Sequence, residues 1–305
     1  MRSPGQRPRK RQWQARRRAL ETRLLEQLFD LVICRGRLRR IALRRLFAAN
    51  MQEGVLCYVP FSDHAILVDP RDDKIALQLM GGRPWQRRKV ESAVAVLRSA
   101  GALQENGFFI DVGANIGTQS IYALATGAFA SVLAIEADRS NFEILRRNIE
   151  INGLAGSVRL FHGAASARSG EAQFTRDRQN FGGHSLEPGM VLTPVEQVTV
   201  RTYRLDDILT DCGLRPCQAS LVKLDVEGHE LQALRGMAAL RAERVPLMIE
   251  FTGRLLGPGR VEELKSWLEP VYRRVVRLDG DLSPCRLEEL ALADGQHDLL
   301  IWAAS

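Results

Sequence analysis

A short segment that combines an acid, two glycines and an asparagine has the spacing of a ligand-binding turn. Asp111, Gly113, Asn115 and Gly117 follow an apolar stretch and precede a pattern typical of a helix. Glycine permits a sharp turn, and the first turn of a helix offers free N–H donors. A pyrophosphate-binding turn would have the spacing G-x-G-x-x-G. The spacing here is G-x-N-x-G with a carboxylate two residues earlier, which favours a cationic ligand such as S-adenosylmethionine (SAM), whose amine and sulfonium are positive.

A second acid, Glu136, ends the next apolar segment, SVLAIE. A carboxylate at such a strand end can accept hydrogen bonds from both ribose hydroxyls of an adenosine. This feature fits SAM and NAD equally well. It predicts a nucleoside ligand without choosing between them.

A third polar group stands where the apolar strand SLVKLDV gives way to a helix. It contains Asp225, Glu227 and His229. If the ligand is SAM and the acceptor is a hydroxyl, methyl transfer would be helped by a general base that takes the hydroxyl proton, and histidine titrates nearest neutrality. We therefore predict these three as the catalytic residues and leave the identity of the base open. The same residue types could bind a metal, but no His-x-x-x-His pair or second carboxylate cluster accompanies them, so we predict no metal site.

The elements that must position these residues alternate between strand and helix. Apolar strands are predicted at 108–112, 131–136, 158–163, 220–226, 246–251, 272–278 and 298–303, and helices at 116–125, 140–151, 229–240 and 261–268. Continuous apolar strands separated by helices indicate a mostly parallel sheet covered on both faces. We predict an α/β fold with a seven-stranded sheet over residues 101–305, and its ligands at the carboxyl ends of the strands.

Residues 51–100 are predicted to form a small β-rich lead-in. Three short strands are expected at 54–61, 65–70 and 74–80, followed by a helix at 87–99. Further along, a glycine-rich stretch around His184 and Ser185 has the composition of a loop that closes over a site.

The first 50 of the 305 residues form a basic N-terminal arm. They hold 15 basic and three acidic residues, a net charge of +12, whereas residues 51–305 carry −5. The arm combines a disordered start with an amphipathic helix, and it either packs on the body or lies on an anionic membrane surface. Five scattered cysteines, no long apolar run and no secretion signal predict a cytoplasmic protein, with peripheral membrane contact as the alternative.

Taken together, the motifs resemble the FkbM family of SAM-dependent methyltransferases. The resemblance covers about residues 54–278, and its parts are FIDVGANIG, AIEAD, RRNIEINGL, VTVRTYRLDDIL and LVKLDVEGHELQALRG. It implies the Rossmann-like class I methyltransferase fold with a late antiparallel strand. It also implies that the Asp111–Gly117 turn surrounds the methionyl part of SAM, that Glu136 holds the ribose and that Ala164 borders the adenine. Asp225 and Glu227 would then lie at the substrate rim. The basic arm lies outside the resemblance.

The resemblance further implies O-methylation of a hydroxyl on a glycan, glycolipid or secondary metabolite. A nucleic-acid methyltransferase is less favoured, because residues 51–305 are net acidic and lack an Asn/Asp-Pro-Pro-Tyr motif for a flipped base. The turn spacing argues against an NAD-dependent oxidoreductase. A protein methyltransferase and a catalytically silent SAM-binding scaffold stay open, as do O- against N-methylation and the oligomeric state.

Overall fold

The computed structural model describes residues 52, 54–187, 189–252, 258–290 and 295–303. The predictions for the basic arm at 1–50 lie outside these residues. The strands are β1 (Cys57–Pro60), β2 (Ala65–Val68), β3 (Phe108–Val112), β4 (Ser131–Glu136), β5 (Val158–His162), β6 (Ala164–Ala165), β7 (Gly170–Asp177), β8 (Pro194–Tyr203), β9 (Ala219–Leu224), β10 (Leu247–Thr252), β11 (Arg274–Arg277), β12 (Cys285–Arg286) and β13 (Gln296–Trp302).

The helices complete the alternation that the sequence predicts. They are α1 (Ile75–Met80), α2 (Arg87–Ser99), α3 (Thr118–Ala125), α4 (Arg139–Ile151), α5 (Leu205–Asp211), α6 (Glu230–Arg235), α7 (Ala238–Ala242) and α8 (Pro258–Leu268). Short 3₁₀ turns occupy Pro216–Gln218 and Leu287–Glu289. In the part of the chain described, no helix combines the length and the apolar character needed to span a membrane.

The central sheet has the strand order β12-β11-β13-β10-β9-β3-β4-β5. The five strands from β10 to β5 in this order are parallel, and β13 runs antiparallel to both β10 and β11. This arrangement confirms the mostly parallel sheet with a late antiparallel strand. The described sheet has one strand more than the predicted seven, because the two-residue strand β12 pairs with β11.

Two hydrophobic clusters cover the two faces of this sheet. Alternate residues of one strand point to opposite faces, so Phe109 of β3 packs in one cluster and Ile110 in the other. The first cluster includes residues of α2, α3 and α4, and the second includes residues of α5, α6 and α8. The predicted cover of helices on both faces is therefore confirmed.

The lead-in segment differs from the prediction in one element. Residues 75–80 form helix α1 and not a third strand. The carboxylate of Asp72 accepts hydrogen bonds from the backbone N–H groups of Lys74, Ile75 and Ala76. Such a carboxylate satisfies the free donors of a first helical turn, which stabilises a helix and not a strand. The two remaining strands, β1 and β2, form an antiparallel hairpin.

Candidate active site

A cavity opens at the carboxyl ends of the parallel strands, where the strand order reverses. β3 lies between β4 and β9, so the chain leaves β3 in one direction and later returns on its other side. Ligands of open α/β sheets bind in the crevice that this reversal creates. The cavity encloses about 910 Å³ of empty space, its open mouth included.

The glycine turn after β3 forms one wall of the cavity through Gly113 and Asn115. Gly113 has a φ of +77°, and a Cβ atom there would lie 1.9 Å from the carbonyl oxygen of Asp225. Glycine is therefore required at position 113 because the backbone that follows β9 passes close to it. Gly117 lies outside the cavity wall; at a φ of +90°, its Cβ would lie 2.5 Å from Leu145.

Asp111 is fully buried behind this wall and does not line the cavity. Its carboxylate accepts a hydrogen bond of 2.7 Å from Ser120 and forms an ion pair of 3.1 Å with Lys223. The Lys223 ammonium also donates to the carbonyl oxygen of Gly113, at 3.1 Å. Burial lowers the pKa of Lys223, but Asp111 and Asp225 outweigh it and raise the pKa above its ordinary value. Asp111 thus holds the charged Lys223 in place, and Lys223 stabilises the turn through its hydrogen bond to Gly113.

Glu136 lies in the cavity wall at the end of β4. One carboxylate oxygen accepts from the backbone N–H of Asn115 at 2.8 Å, and the other accepts from that of Asp138 at 2.7 Å. Burial raises the pKa of Glu136 to about 7, against the opposing effect of these hydrogen bonds. Both oxygens are thereby fixed in direction, and each retains a further lone pair toward the cavity.

The wall beyond Glu136 contains Ala164, the other residue predicted to contact a nucleoside. It lies in the short strand β6, which pairs with β8 in a separate three-stranded sheet of order β6-β8-β7. Ala164 and its neighbour Ala165 present only small side chains here. This leaves room for a flat ring system against the backbone.

Gln119, which the sequence did not single out, also lines the cavity. Its side chain is 3% exposed, and its Oε1 atom has no hydrogen-bond partner among the described residues. Its amide nitrogen makes long contacts of 3.4 Å with Trp85 and Gln86. A buried acceptor without a donor carries a free-energy penalty of about 1–3 kcal/mol. A polar ligand with an N–H or ammonium group, such as the methionyl end of SAM, would satisfy it.

Three carboxylates meet at the other side of the cavity. Asp225 and Glu227 follow β9 as predicted, and Glu250 from the neighbouring strand β10 joins them. One oxygen from each lies within 4.8 Å of the other two. Sequence reasoning missed Glu250, which stands as a single acid in the apolar strand PLMIEF. Burial, with the nearby carboxylates, raises the pKa of Glu227 and that of Glu250 above the ordinary value of a glutamate. These two carboxyls therefore bind a proton more tightly than an exposed carboxyl does.

His229 reaches the cavity wall, but both of its ring nitrogens have protein partners. Nε2 lies 3.0 Å from the Ser166 hydroxyl, and Nδ1 lies 2.8 Å from the carboxylate of Glu187. Arg260 contacts the second oxygen of that carboxylate at 2.9 Å. Burial lowers the pKa of His229, although Glu187 acts in the opposite direction. An acceptor hydroxyl would have to displace one of these partners to reach the imidazole.

The glycine-rich loop closes the cavity beside α1. Phe181 and His184 line it, and Asp177 supports the loop by accepting from the backbone N–H groups of Gln179 and Asn180 at 2.8 Å each. Ser185 is fully buried, and its hydroxyl donates to the carbonyl oxygen of Glu227 at 2.6 Å. The loop thus fixes the backbone that carries one of the three clustered carboxylates.

Comparison of the sequence with known protein families identifies one that matches this chain. The methyltransferase FkbM domain matches residues 111–270, which is more than half of the chain and includes both the glycine turn and the acidic segment. This chain belongs to the FkbM methyltransferase family. This membership agrees with the resemblance in the sequence.

Two curated relatives show how far the sequence similarity extends. The methyltransferase sdnD of Sordaria araneosa is 28% identical over 44% of this chain and 62% of its own length. The hexuronic acid methyltransferase AglP of Haloferax volcanii is 30% identical over 50% of this chain and 59% of its own length. The chain thus spans about three fifths of the length of these relatives. A solved FkbM methyltransferase from Methylobacillus flagellatus is 19% identical, with a TM-score of 0.43, over 87% of this chain and 59% of its own.

Proposed function

We propose that this protein transfers a methyl group from SAM to a hydroxyl of a glycan, glycolipid or secondary metabolite. One observation carries the proposal: a single cavity is lined both by Glu136, which suits a ribose, and by a carboxylate cluster able to accept a proton. The first group holds a nucleoside donor and the second serves an acceptor hydroxyl. Methyl transfer to a hydroxyl requires both in one space.

The residues around the first half of the cavity fit SAM. Glu136 would accept from the ribose hydroxyls, Ala164 would border the adenine, and the turn at Gly113 and Asn115 would face the methionyl part. The unpartnered Gln119 oxygen would accept from the methionyl amine. When bound, SAM supplies a methyl group activated by its sulfonium.

The second half of the cavity favours an acceptor without negative charge. Asp225, Glu227 and Glu250 would repel a carboxylate or a phosphate, whereas a neutral hydroxyl could donate a hydrogen bond to any of them. Ester formation on a carboxylate also needs no base, so the cluster would have no use in it. The relative AglP is described as acting on a hexuronic acid. For this chain we therefore propose methylation of a hydroxyl and not of a carboxyl group.

The test is calorimetry with SAM, S-adenosylhomocysteine and NAD side by side, followed by transfer of a labelled methyl group to a panel of sugars and hydroxylated metabolites. We expect SAM and S-adenosylhomocysteine to bind and NAD not to bind. Glu136→Ala should weaken SAM binding about 10- to 150-fold, as two hydrogen bonds to a charged acceptor are lost. Glu105→Ala, an exposed control, should leave it unchanged. Binding of NAD in place of SAM would show that the proposal is wrong.

We also propose that the basic arm brings the enzyme to an anionic membrane surface. The support is its charge of +12 over 50 residues, combined with apolar residues at helical spacing. Full-length protein should sediment with vesicles that contain anionic lipid, and a chain starting at residue 51 should not. Equal sedimentation of both would refute this role for the arm.

A further inference from the structure

Glu250 reaches the catalytic side of the cavity through the register of two parallel strands. Ile249 of β10 pairs with Leu224 of β9, so the next residues, Glu250 and Asp225, lie side by side at the carboxyl ends. Glu250 is oriented from behind, because the amide of Gln296 donates to it and Lys89 lies 3.7 Å away. Its position is therefore set by three different elements, β10, β13 and α2.

The three carboxylates differ in how their charge is balanced. The Asp225 carboxylate lies 3.6 Å from the Lys223 ammonium, and the Glu250 carboxylate lies 3.7 Å from the Lys89 ammonium. The Glu227 carboxyl has no ion pair or hydrogen bond among the described residues. Its backbone has a φ of +49°, a conformation uncommon for a side chain of this kind, and Ser185 holds its carbonyl oxygen. Glu227 is thus presented to the cavity with its carboxyl uncommitted.

We propose that Glu227 accepts the proton of the acceptor hydroxyl and that Glu250 is a positioning residue that shares this proton and tunes its affinity. The proposal rests on the proposed function and adds a residue that the sequence did not indicate. The two carboxyls then act as one pair, and the proton that they take up neutralises one negative charge.

The charge balance of the reaction agrees with this arrangement. The acceptor oxygen forms a bond to the methyl carbon, the S–C bond breaks with its electron pair left on sulfur, and the hydroxyl proton passes to Glu227. One positive charge disappears from the sulfonium as one negative charge disappears from the carboxylate pair. The net charge inside the buried cavity is therefore the same before and after transfer, which avoids the cost of creating a charge in a low-dielectric site.

The groups around the pair act in both directions. Burial is the largest cause of the raised pKa of both glutamates, and the charge of Asp225 is the second. Asp298 also raises the pKa of Glu250, whereas Lys74 lowers the pKa of both. The remaining charged neighbours are Glu230, which raises the pKa of Glu227, and Lys89, which lowers that of Glu250. Because the raising effects dominate, the pair binds a proton more tightly than two exposed carboxyls would. A positive ligand that enters the cavity should expel part of this proton.

The test measures proton release on ligand binding and needs no acceptor. SAM and S-adenosylhomocysteine are titrated calorimetrically at pH 8 in two buffers that differ in ionisation enthalpy. The wild type should release more protons per SAM than per S-adenosylhomocysteine, because only SAM brings the sulfonium charge. In Glu250→Gln this difference should be reduced, since Glu227 loses one of the carboxylates that raise its pKa, although burial and Asp225 still raise it. Glu227→Gln should reduce the difference further, because it removes the proton-accepting carboxyl itself.

The control is Glu105→Gln, whose carboxylate lies before β3 at the opposite end of the sheet and pairs with Arg98. It should retain the full difference. An unchanged difference in Glu250→Gln with intact SAM binding would overturn the role of Glu250. A second result would also overturn the role of Glu250: Mg²⁺ alone binds to the wild type with release of protons but does not bind to Glu250→Gln. The cluster would then be a cation site. Failure of SAM itself to bind would instead refute the proposed function.

Discussion

Glu136 carries a prediction that can be worked through from the structure: Glu136→Gln should remove the pH dependence of stability that this position contributes. The side chain is 6% exposed, and its two oxygens accept from the backbone N–H groups of Asn115 and Asp138. Glutamine keeps the shape but has no titrating proton. It also keeps only one acceptor, so one of the two backbone donors loses its partner.

The magnitude follows from the pKa of Glu136, which burial raises from 4.5 to about 7. A raised pKa means that the folded protein binds the proton more tightly than the unfolded chain. The stabilisation is present below about pH 4.5 and is lost as the pH rises through 7. The shift corresponds to about 3 kcal/mol. Glutamine has no such dependence, so the variant should gain about 3 kcal/mol relative to the wild type between pH 4.5 and pH 8.

Urea unfolding of both proteins without ligand, at several pH values between 4.5 and 8, measures this gain. At pH 4.5 the variant should be the less stable, by about 1–3 kcal/mol, because of the lost hydrogen bond. At pH 8 the difference should have closed or changed sign. The difference between two proteins cancels other titrating groups, and Glu105→Gln should follow the wild type throughout. A free-energy difference that stays constant with pH would refute the reasoning on Glu136.

Three further substitutions test other parts of the site. Gly113→Ala should lower the free energy of unfolding by about 2–4 kcal/mol, measured by urea unfolding, because of the clash with Asp225 and the positive φ. Gly127→Ala, with a similar φ and open space around it, should cost only about 1 kcal/mol. Gln119→Leu should leave the melting temperature unchanged or raised but weaken SAM binding about tenfold in calorimetry. Asp72→Ala should destabilise by about 1–2 kcal/mol in thermal unfolding, as α1 loses its cap.

Much of the fold follows from the sequence, because apolar runs in parallel strands depend on local composition. The segments FFIDV, SVLAIE and SLVKLDV are predicted as strands, and the structure has them as β3, β4 and β9. These three strands are neighbours in the sheet. α1 was missed for a local reason. IALQLM is too short and too apolar for its period to separate a helix from a strand. The signal that distinguishes them is Asp72, whose carboxylate accepts from the backbone N–H groups of the first turn.

On its acidic side, the site was predictable only where the residues are neighbours in the chain. Asp225, Glu227 and His229 are within five residues of each other, whereas Glu250 comes from the next strand and meets them only through the register between β9 and β10. A lone acid within an apolar strand was nevertheless a visible sign, since a buried carboxylate is costly unless it is paired or has a chemical use. The same reasoning separates Asp111 from its neighbours. Sequence spacing places it in the ligand-binding turn, but its position in the middle of β3 buries it, and there its carboxylate stabilises Lys223 and not a ligand directly. A place within a strand does not by itself decide the role of an acid, because Glu250 also lies within its strand and yet lines the cavity.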